Sequence, residues 1–370
     1  MEITLILPCI PTPQRSPWRR RAWHRAALLV AALVALPMGP AVAATQDCHA
    51  VSRETCAVAH ALGRGINLGN MLEAPREGDW GVRVEPAFIE LATRHFRTVR
   101  LPVRWSNHAA PTADARLDEV FARRVDGVVD ALLARGVRVI LNVHHYTQLT
   151  GGTLHPREFA VDPAVVEERL VSLWRQIAWR YRHHAPRLMF ELLNEPHGTL
   201  EGERWNRLAA RALAAVRASN PKRIVLIGPG DWNHPRALPA LRLPPDPFLI
   251  VAIHSYDPFE FTHQGVTWRP DPLPTGTPCC DDAQREKVVQ ALDAAVRWNR
   301  DQGVPVHLGE FGAYSAGDLA SRAAYARLVR DEAERRGIGW AWWEWASDFS
   351  GVYDPVRRTW VEPLRRALLD

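Results

Sequence analysis

The chain has 370 residues, 47% hydrophobic and 24% charged, a globular composition with room for one large domain or two small ones. Its formal net charge is +5. Residues 1–43 carry Arg15, Arg19, Arg20, Arg21 and Arg25 against Glu2, a net of +4, which leaves about +1 (5 − 4) for the rest. The basic balance is a targeting feature, and it gives no support to a nucleic-acid partner.

The first predicted element is a signal peptide over residues 1–43. Its arginines form a basic leader, "AALLVAALVALPM" (26–38) is an apolar stretch, and "AVA" (41–43) supplies a small-x-small site before Ala44. The stretch is shorter than the ~20 residues of a membrane span, so no stable membrane insertion is expected after cleavage. A retained anchor is the alternative, and the arginine run leaves twin-arginine export open. The expected destination is secreted or periplasmic. Cleavage removes Cys9 and leaves Cys48, Cys56, Cys279 and Cys280. Export permits disulfides, and their pairing is open. Cys48–Cys56 would close a short loop. A bond between the adjacent Cys279 and Cys280 would be strained, so links between the two pairs are the rival. No histidine lies at ligand spacing around them, which disfavours a metal site.

Eight short runs rich in Val, Ile and Leu follow: 64–70, 98–105, 138–146, 188–196, 223–230, 248–258, 304–314 and 337–347. Helix-period segments separate them. One spans 114–136, with Asp114 as its cap, Gly136 as its stop, and Leu117, Val120, Phe121, Val125, Val128, Val129, Leu132 and Leu133 on one face. A second opens at Asp162-Pro163 and runs to about His184. Others lie near 203–219, 284–302 and 318–336. Continuously apolar strands alternating with helices imply a parallel sheet buried on both faces. Eight such units predict an α/β fold, a (β/α)8 TIM barrel in a single domain over 44–370. A doubly wound open sheet is the runner-up, but no glycine-rich phosphate loop follows the first strand. The longest irregular stretch is 260–282, after the sixth run.

In a parallel barrel the functional site lies at the C-terminal ends of the strands. Those ends here are polar and aromatic: Arg100 and Trp105; His144, His145 and Tyr146; Asn194 and Glu195; His254 and Tyr256; Glu310; Trp343 and Glu344. Glu195 and Glu310 leave strands four and seven and can face one mouth. Two carboxyls flanking one cleft suit cleavage of a glycosidic bond, with retention at about 5–5.5 Å separation and inversion at about 6.5–9.5 Å. Fifteen tryptophans is a high count; single buried indoles are normal core residues, and a surplus beyond core needs suits flat ligands such as bases or sugar rings. Taken singly, Glu195 reads as a loop glutamate, Glu310 as an ion-pair partner, Arg100 as structural and Trp343 as core. His144, His145 and His254 raise a metal site, which strand alternation opposes because adjacent histidines point to opposite faces.

Seven motifs in order, "RGINLGNMLEAP", "VRLPVRW", "NVHHY", "LLNEP", "HSYDPFEFTHQG", "GEFG" and "WAWWEWAS", resemble glycoside hydrolase family 5, the cellulase family, over about residues 60–360. The resemblance implies a TIM barrel and retaining hydrolysis of β-linked glycans without a cofactor. It implies Glu195 as acid/base and Glu310 as nucleophile. Arg100 would sit beside the nucleophile and Tyr256 would orient it. His144 would serve the central subsite, His254 would stand near the acid/base, Asn194 would bind the sugar 2-hydroxyl, and Trp343 would form a platform. His145 and Asn70 would be glycone-side contacts. Arg100 and the Tyr256 hydroxyl are expected to lower the pKa of Glu310, while a less polar setting and repulsion from Glu310 raise that of Glu195. Glu191 shares a face with Glu195 deeper in the barrel, and a buried cation is expected beside it. The expected partner is a β-1,4-glucan polysaccharide or oligosaccharide, cut internally by a monomer. A β-mannanase, a xyloglucanase or a mixed-linkage glucanase is the alternative within the class. A non-catalytic carbohydrate-binding barrel and a metal-dependent hydrolase lie outside it.

Overall fold

A computed structural model describes residues 45–370, so the expected signal segment lies outside the described residues. The eight runs form eight strands: β1 Arg64–Asn67, β2 Thr98–Leu101, β3 Arg138–Asn142, β4 Leu188–Glu191, β5 Val225–Ile227, β6 Leu249–His254, β7 Val306–Phe311 and β8 Gly339–Trp342. Each pairs in parallel with the next, and β8 returns to β1, closing the barrel. The predicted (β/α)8 architecture is the one observed. Closure removes both sheet edges, so every strand backbone is paired. Inside, Ile140, Met189, Ile224, Leu226, Ile250 and Ala252 pack into one apolar layer above Ala59 and Leu62 of the N-terminal segment. Outside, the helices bury their apolar faces against the strands in one continuous cluster. Among the described residues no helix is long and apolar enough to cross a membrane.

The helix expected from 114 is shorter. It runs Glu119–Ala134, capped by Asp118, whose side chain accepts from the amides of Val120 and Phe121. Asp114 instead bonds Thr112. Leu117 is extended and bridged to Ala109, which keeps it out of the helix. Val120, in the first turn, is 71% exposed. At the next unit Pro163–Val165 makes a single 3-10 turn before the helix Val166–Arg180, which stops short of His184.

Two details position the site. The register of β7 shifts against both neighbours near its end, so that Glu310 comes opposite His254. Such an irregularity re-aims a side chain at a barrel rim. The long stretch after β6 is not loose. Buried Gln264 donates to the carbonyls of Phe261 and Thr277 and accepts from the amides of Gly276 and Thr277.

Among the described residues the cysteines pair as Cys48–Cys56 and Cys279–Cys280. Links between the two pairs are excluded by the helix Asp282–Gln302. The Asp47 amide bonds Asn299 at its C-terminal end, while Cys279 and Cys280 precede its start. A helix of 21 residues holds the pairs apart by roughly 30 Å at ~1.5 Å per residue.

Candidate active site

The mouth of the barrel opens into a cleft of about 1420 Å³. Nine of the ten residues expected there line it. Asn70, His144, His145, Asn194, Glu195, His254, Tyr256, Glu310 and Trp343 line its wall, and Arg100 lies beneath them, wholly buried.

At the end of β4 the chain carries Glu195 at φ 49°, a left-handed conformation uncommon for a residue with a side chain. That turn swings its carboxyl across the mouth to His254 Nδ1 at 2.8 Å. Glu310 Oε1 accepts from Arg100 Nη1 at 2.6 Å, and Oε2 accepts from the Tyr256 hydroxyl at 2.9 Å. A carboxylate oxygen of Glu195, one of Glu310 and a ring nitrogen of His254 all lie within 4.8 Å of one another. Gly309 makes this possible, because a Cβ there would come within 3.0 Å of His254 Nε2.

Arg100 Nε and Nη2 grip both oxygens of Glu191, at 2.6 and 2.7 Å. The cation expected beside Glu191 is therefore Arg100, the same residue that contacts Glu310. Arg100 Nη2 also donates to Asn194 Oδ1 at 2.8 Å.

Burial pushes the Glu195 carboxyl up to about 7, against smaller opposing pulls from His197 and Arg100. About a fifth of its side chain, 21%, still meets the cleft. For Glu310 the expected lowering does not hold. Burial raises it above the ordinary carboxylate value, and His254, Arg100 and the Tyr256 hydroxyl only pull it part of the way back. Burial lowers His254 to about 4, and both His144 and His145 well below the usual imidazole value. All three rings are neutral at pH 7, and the His254 contact to Glu195 is a hydrogen bond between an uncharged ring and a carboxyl.

Strand alternation does not part His144 from His145. His145 has φ 51°, so the strand pattern has ended and both rings face the cleft, 4.4 Å apart. His144 stacks on Trp343 at 5.5 Å, and its Nδ1 meets the Asn142 amide at 3.1 Å. Asn70 reaches the mouth at φ 62° and donates to Ser347 Oγ. Trp105 and Glu344, two other polar or aromatic strand ends, turn away from the cleft. The Trp105 indole bonds the Asn142 carbonyl, and Glu344 accepts from the amides of Ala346, Ser347 and Ser350.

Several lining residues were not singled out from the sequence: Trp80, Arg104, Trp232, His263, Trp268 and Phe349. Trp232 is 49% exposed and stacks on His197 at 4.5 Å, while Trp268 is 59% exposed. "GDW" after the fifth run obeys the same strand-end rule as the chosen residues and could have pointed to Trp232.

Glu195, His254 and Glu310 could in principle converge on a cation. The donor set opposes one, because both oxygens of Glu310 already accept from a guanidinium and a hydroxyl. Cys48, Cys56 and His60 also cluster, but the cysteines are joined and offer no thiolate.

Paired carboxyls lie at the C-terminal mouth of a parallel barrel, in an open cleft edged by exposed indoles. The family model for cellulase (glycosyl hydrolase family 5) matches residues 63–349, and the chain belongs to that family. It is 36% identical to Endoglucanase H of Acetivibrio thermocellus over 287 residues, 76% of this chain and 29% of that one. It is 25% identical to Cellodextrinase A of Ruminococcus flavefaciens over 74% of this chain and 83% of that one. The chain spans only about a third of the length of the first two curated relatives, at 29% and 36%. The solved structure of Thermotoga maritima Cel5A in complex with cellobiose superposes with a TM-score of 0.79 at 40% identity, covering 84% of this chain and 98% of that one.

Proposed function

We propose that the chain is an exported endo-β-1,4-glucanase that hydrolyses cellulose-type glucans with retention. Its nucleophile is Glu310 and its acid/base is Glu195. The observation that carries this reading is the approach of one oxygen of each carboxyl to within 4.8 Å of the other. That falls on the retaining side of the two geometries, because inversion needs room for a water between carboxyls about 6.5–9.5 Å apart.

The two acids interact and release their protons as a pair. Glu310 gives up the first proton, since Arg100 and Tyr256 stabilise its anion directly, and Glu195 keeps the second up to about pH 7. In the first step the Glu310 carboxylate attacks the anomeric carbon. The glycosidic bond breaks, and the Glu195 proton goes to the leaving oxygen. Formation of the ester removes the Glu310 charge, which lets Glu195 stay ionised. Glu195 then takes a proton from water, the hydroxide adds to the anomeric carbon, and Glu310 leaves as carboxylate. Asn194, His144, His145 and Asn70 offer polar contacts to sugar hydroxyls, and Trp343 offers an indole wall. Exposed Trp232 and Trp268 along an open cleft support cutting within a chain.

Relatives named endoglucanase support the glucan assignment. A β-mannanase is the second reading, favoured by the solved structure of Thermotoga maritima Cel5A with mannotriose, 39% identical to this chain. We further propose cleavage after Ala43 and a monomeric mature protein. The test is hydrolysis of soluble carboxymethylated β-1,4-glucan and of β-mannan by mature protein and by Glu310→Gln. Rapid viscosity loss on glucan, absent in the variant, supports the reading. Cleavage of mannan alone overturns the substrate, and activity in the variant overturns the nucleophile.

A further inference from the structure

Arg100 lies at the centre of the barrel with every donor in use. A guanidinium carries five N–H groups. Nε and one Nη2 hydrogen go to Glu191, the other Nη2 hydrogen goes to Asn194, and the two on Nη1 go to Asn67 Oδ1 at 3.0 Å and Glu310 Oε1 at 2.6 Å. Arg100 and Glu191 are both wholly buried. The grip of Glu191 is bidentate and runs along the Nε edge, the strongest arrangement for this pair of groups.

Three formal charges therefore meet in one buried cluster: Arg100 from β2, Glu191 from β4 and Glu310 from β7. One guanidinium faces two carboxylates, a net of −1 when both are ionised. The other elements add no charge to balance it. β1 presents Asn67, β5 presents Leu226 beside Glu191, and β8 presents backbone carbonyls to Asn67. The titratable rings nearby are His144 from β3, His254 from β6 and His307 from β7, and burial keeps all three neutral near pH 7. Tyr256 donates a hydroxyl, and Glu195 stands across the mouth.

We propose that Glu191 is a positioning residue for Glu310: it clamps the Nε edge of Arg100, which fixes Nη1 against Glu310, and it neutralises the guanidinium so that Glu310 keeps a basic, reactive carboxylate. This rests on the reading of Glu310 as the nucleophile. The clamp has geometric force because the guanidinium is planar. Holding Nε and Nη2 in line with one carboxylate leaves Nη1 no freedom to swing away from the other. The charge effect has equal force. An arginine with no second partner would give its full charge to Glu310 and stabilise the carboxylate that must attack. The competing reading is that Glu191 only satisfies a buried arginine and contributes to stability alone.

The two differ in the pH profile. The acid limb of kcat/KM reports the group that must be ionised in the free enzyme, and the alkaline limb reports the one that must be protonated. In Glu191→Gln the side chain keeps its shape and loses its charge. Glu310 then faces an unmatched guanidinium, and Glu195 loses the repulsion that Glu191 exerts on it. Both limbs are expected to move to lower pH by about one unit, the scale of removing one neighbouring charge at an effective dielectric near 20. With the guanidinium less firmly held, kcat is expected to fall about tenfold or more with little change in KM. Glu191→Asp restores the charge and should return both limbs to their wild-type positions while kcat stays low.

The experiment is the pH dependence of kcat and kcat/KM on soluble glucan for wild type, Glu191→Gln, Glu191→Asp and Glu310→Gln, each checked for folding by thermal melting. A folded Glu191→Gln whose limbs stay in place overturns the proposal. If Glu191→Gln does not fold, Glu191→Asp decides: lowered kcat with unmoved limbs supports the clamp, and wild-type kcat overturns it. Glu310→Gln separates the two levels of the argument. Full activity there sinks the nucleophile assignment itself, whereas an inactive Glu310→Gln beside an unshifted Glu191→Gln sinks only the role given to Glu191.

Discussion

Glu195 combines an uncommon backbone conformation with a largely buried carboxyl held at the edge of the cleft. Burial raises its pKa to about 7 from the ordinary 4.5. A carboxyl raised in this way contributes stability that is complete below its unfolded pKa and is lost as pH rises through about 7. Glu195→Gln should therefore melt higher than wild type at pH 8, by roughly 1–3 kcal/mol of stability, with the gap closing at pH 4. Thermal melts at both pH values check this, and a wild type that is the more stable at pH 8 would contradict it. The same variant lacks the proton for the leaving oxygen. Its rate on glucan should fall by about 10²–10⁴, while an aryl cellobioside with a good leaving group should form the glycosyl-enzyme at near wild-type rate. Equal losses on both substrates would remove the acid role from Glu195.

At the scale of elements, the apolar runs were legible because a strand buried on both faces must be apolar throughout, and all eight appear where expected. The site residues at strand ends were legible for a related reason: an otherwise apolar barrel isolates its polar mouth. What was not legible came from long-range contact. Glu191 and Arg100 are 91 positions apart, and no local pattern names one as the partner of the other. Asp114 read as a helix cap until the bridge between Ala109 and Leu117 claimed the intervening chain. Trp80 and Trp268 reach the cleft on loops whose paths depend on tertiary contacts such as those of Gln264. The segment 260–282 reads as a long irregular loop of the kind that is often functional, and one buried amide organises it. Gln264→Ala should cost about 1–3 kcal/mol, because it leaves buried backbone groups without partners. It should also speed amide exchange at Gly276 and Thr277 far more than in the barrel strands. Unchanged exchange there would mean that Gln264 does not hold the loop.

On the scale of the whole molecule, the barrel brings side chains from β2, β4, β6 and β7 to one mouth, and the chemistry follows from that convergence. Arg100 and Tyr256 occupy both oxygens of Glu310, so excess chelator should leave hydrolysis unchanged. A loss of activity that added divalent cation restores would return the metal-dependent reading to the front. Mass spectrometry of the exported protein should find its N-terminus at Ala44, and an intact residue 1–43 segment would contradict cleavage. The measurement that bears most directly on the paired-carboxyl mechanism is the anomeric configuration of the first product, followed by proton NMR during hydrolysis of a soluble cello-oligosaccharide. Carboxyls within 4.8 Å predict the β-anomer first, with the α-anomer growing only as mutarotation proceeds. The α-anomer appearing first would mean a direct displacement by water, and Glu310 would then be a base and not a nucleophile.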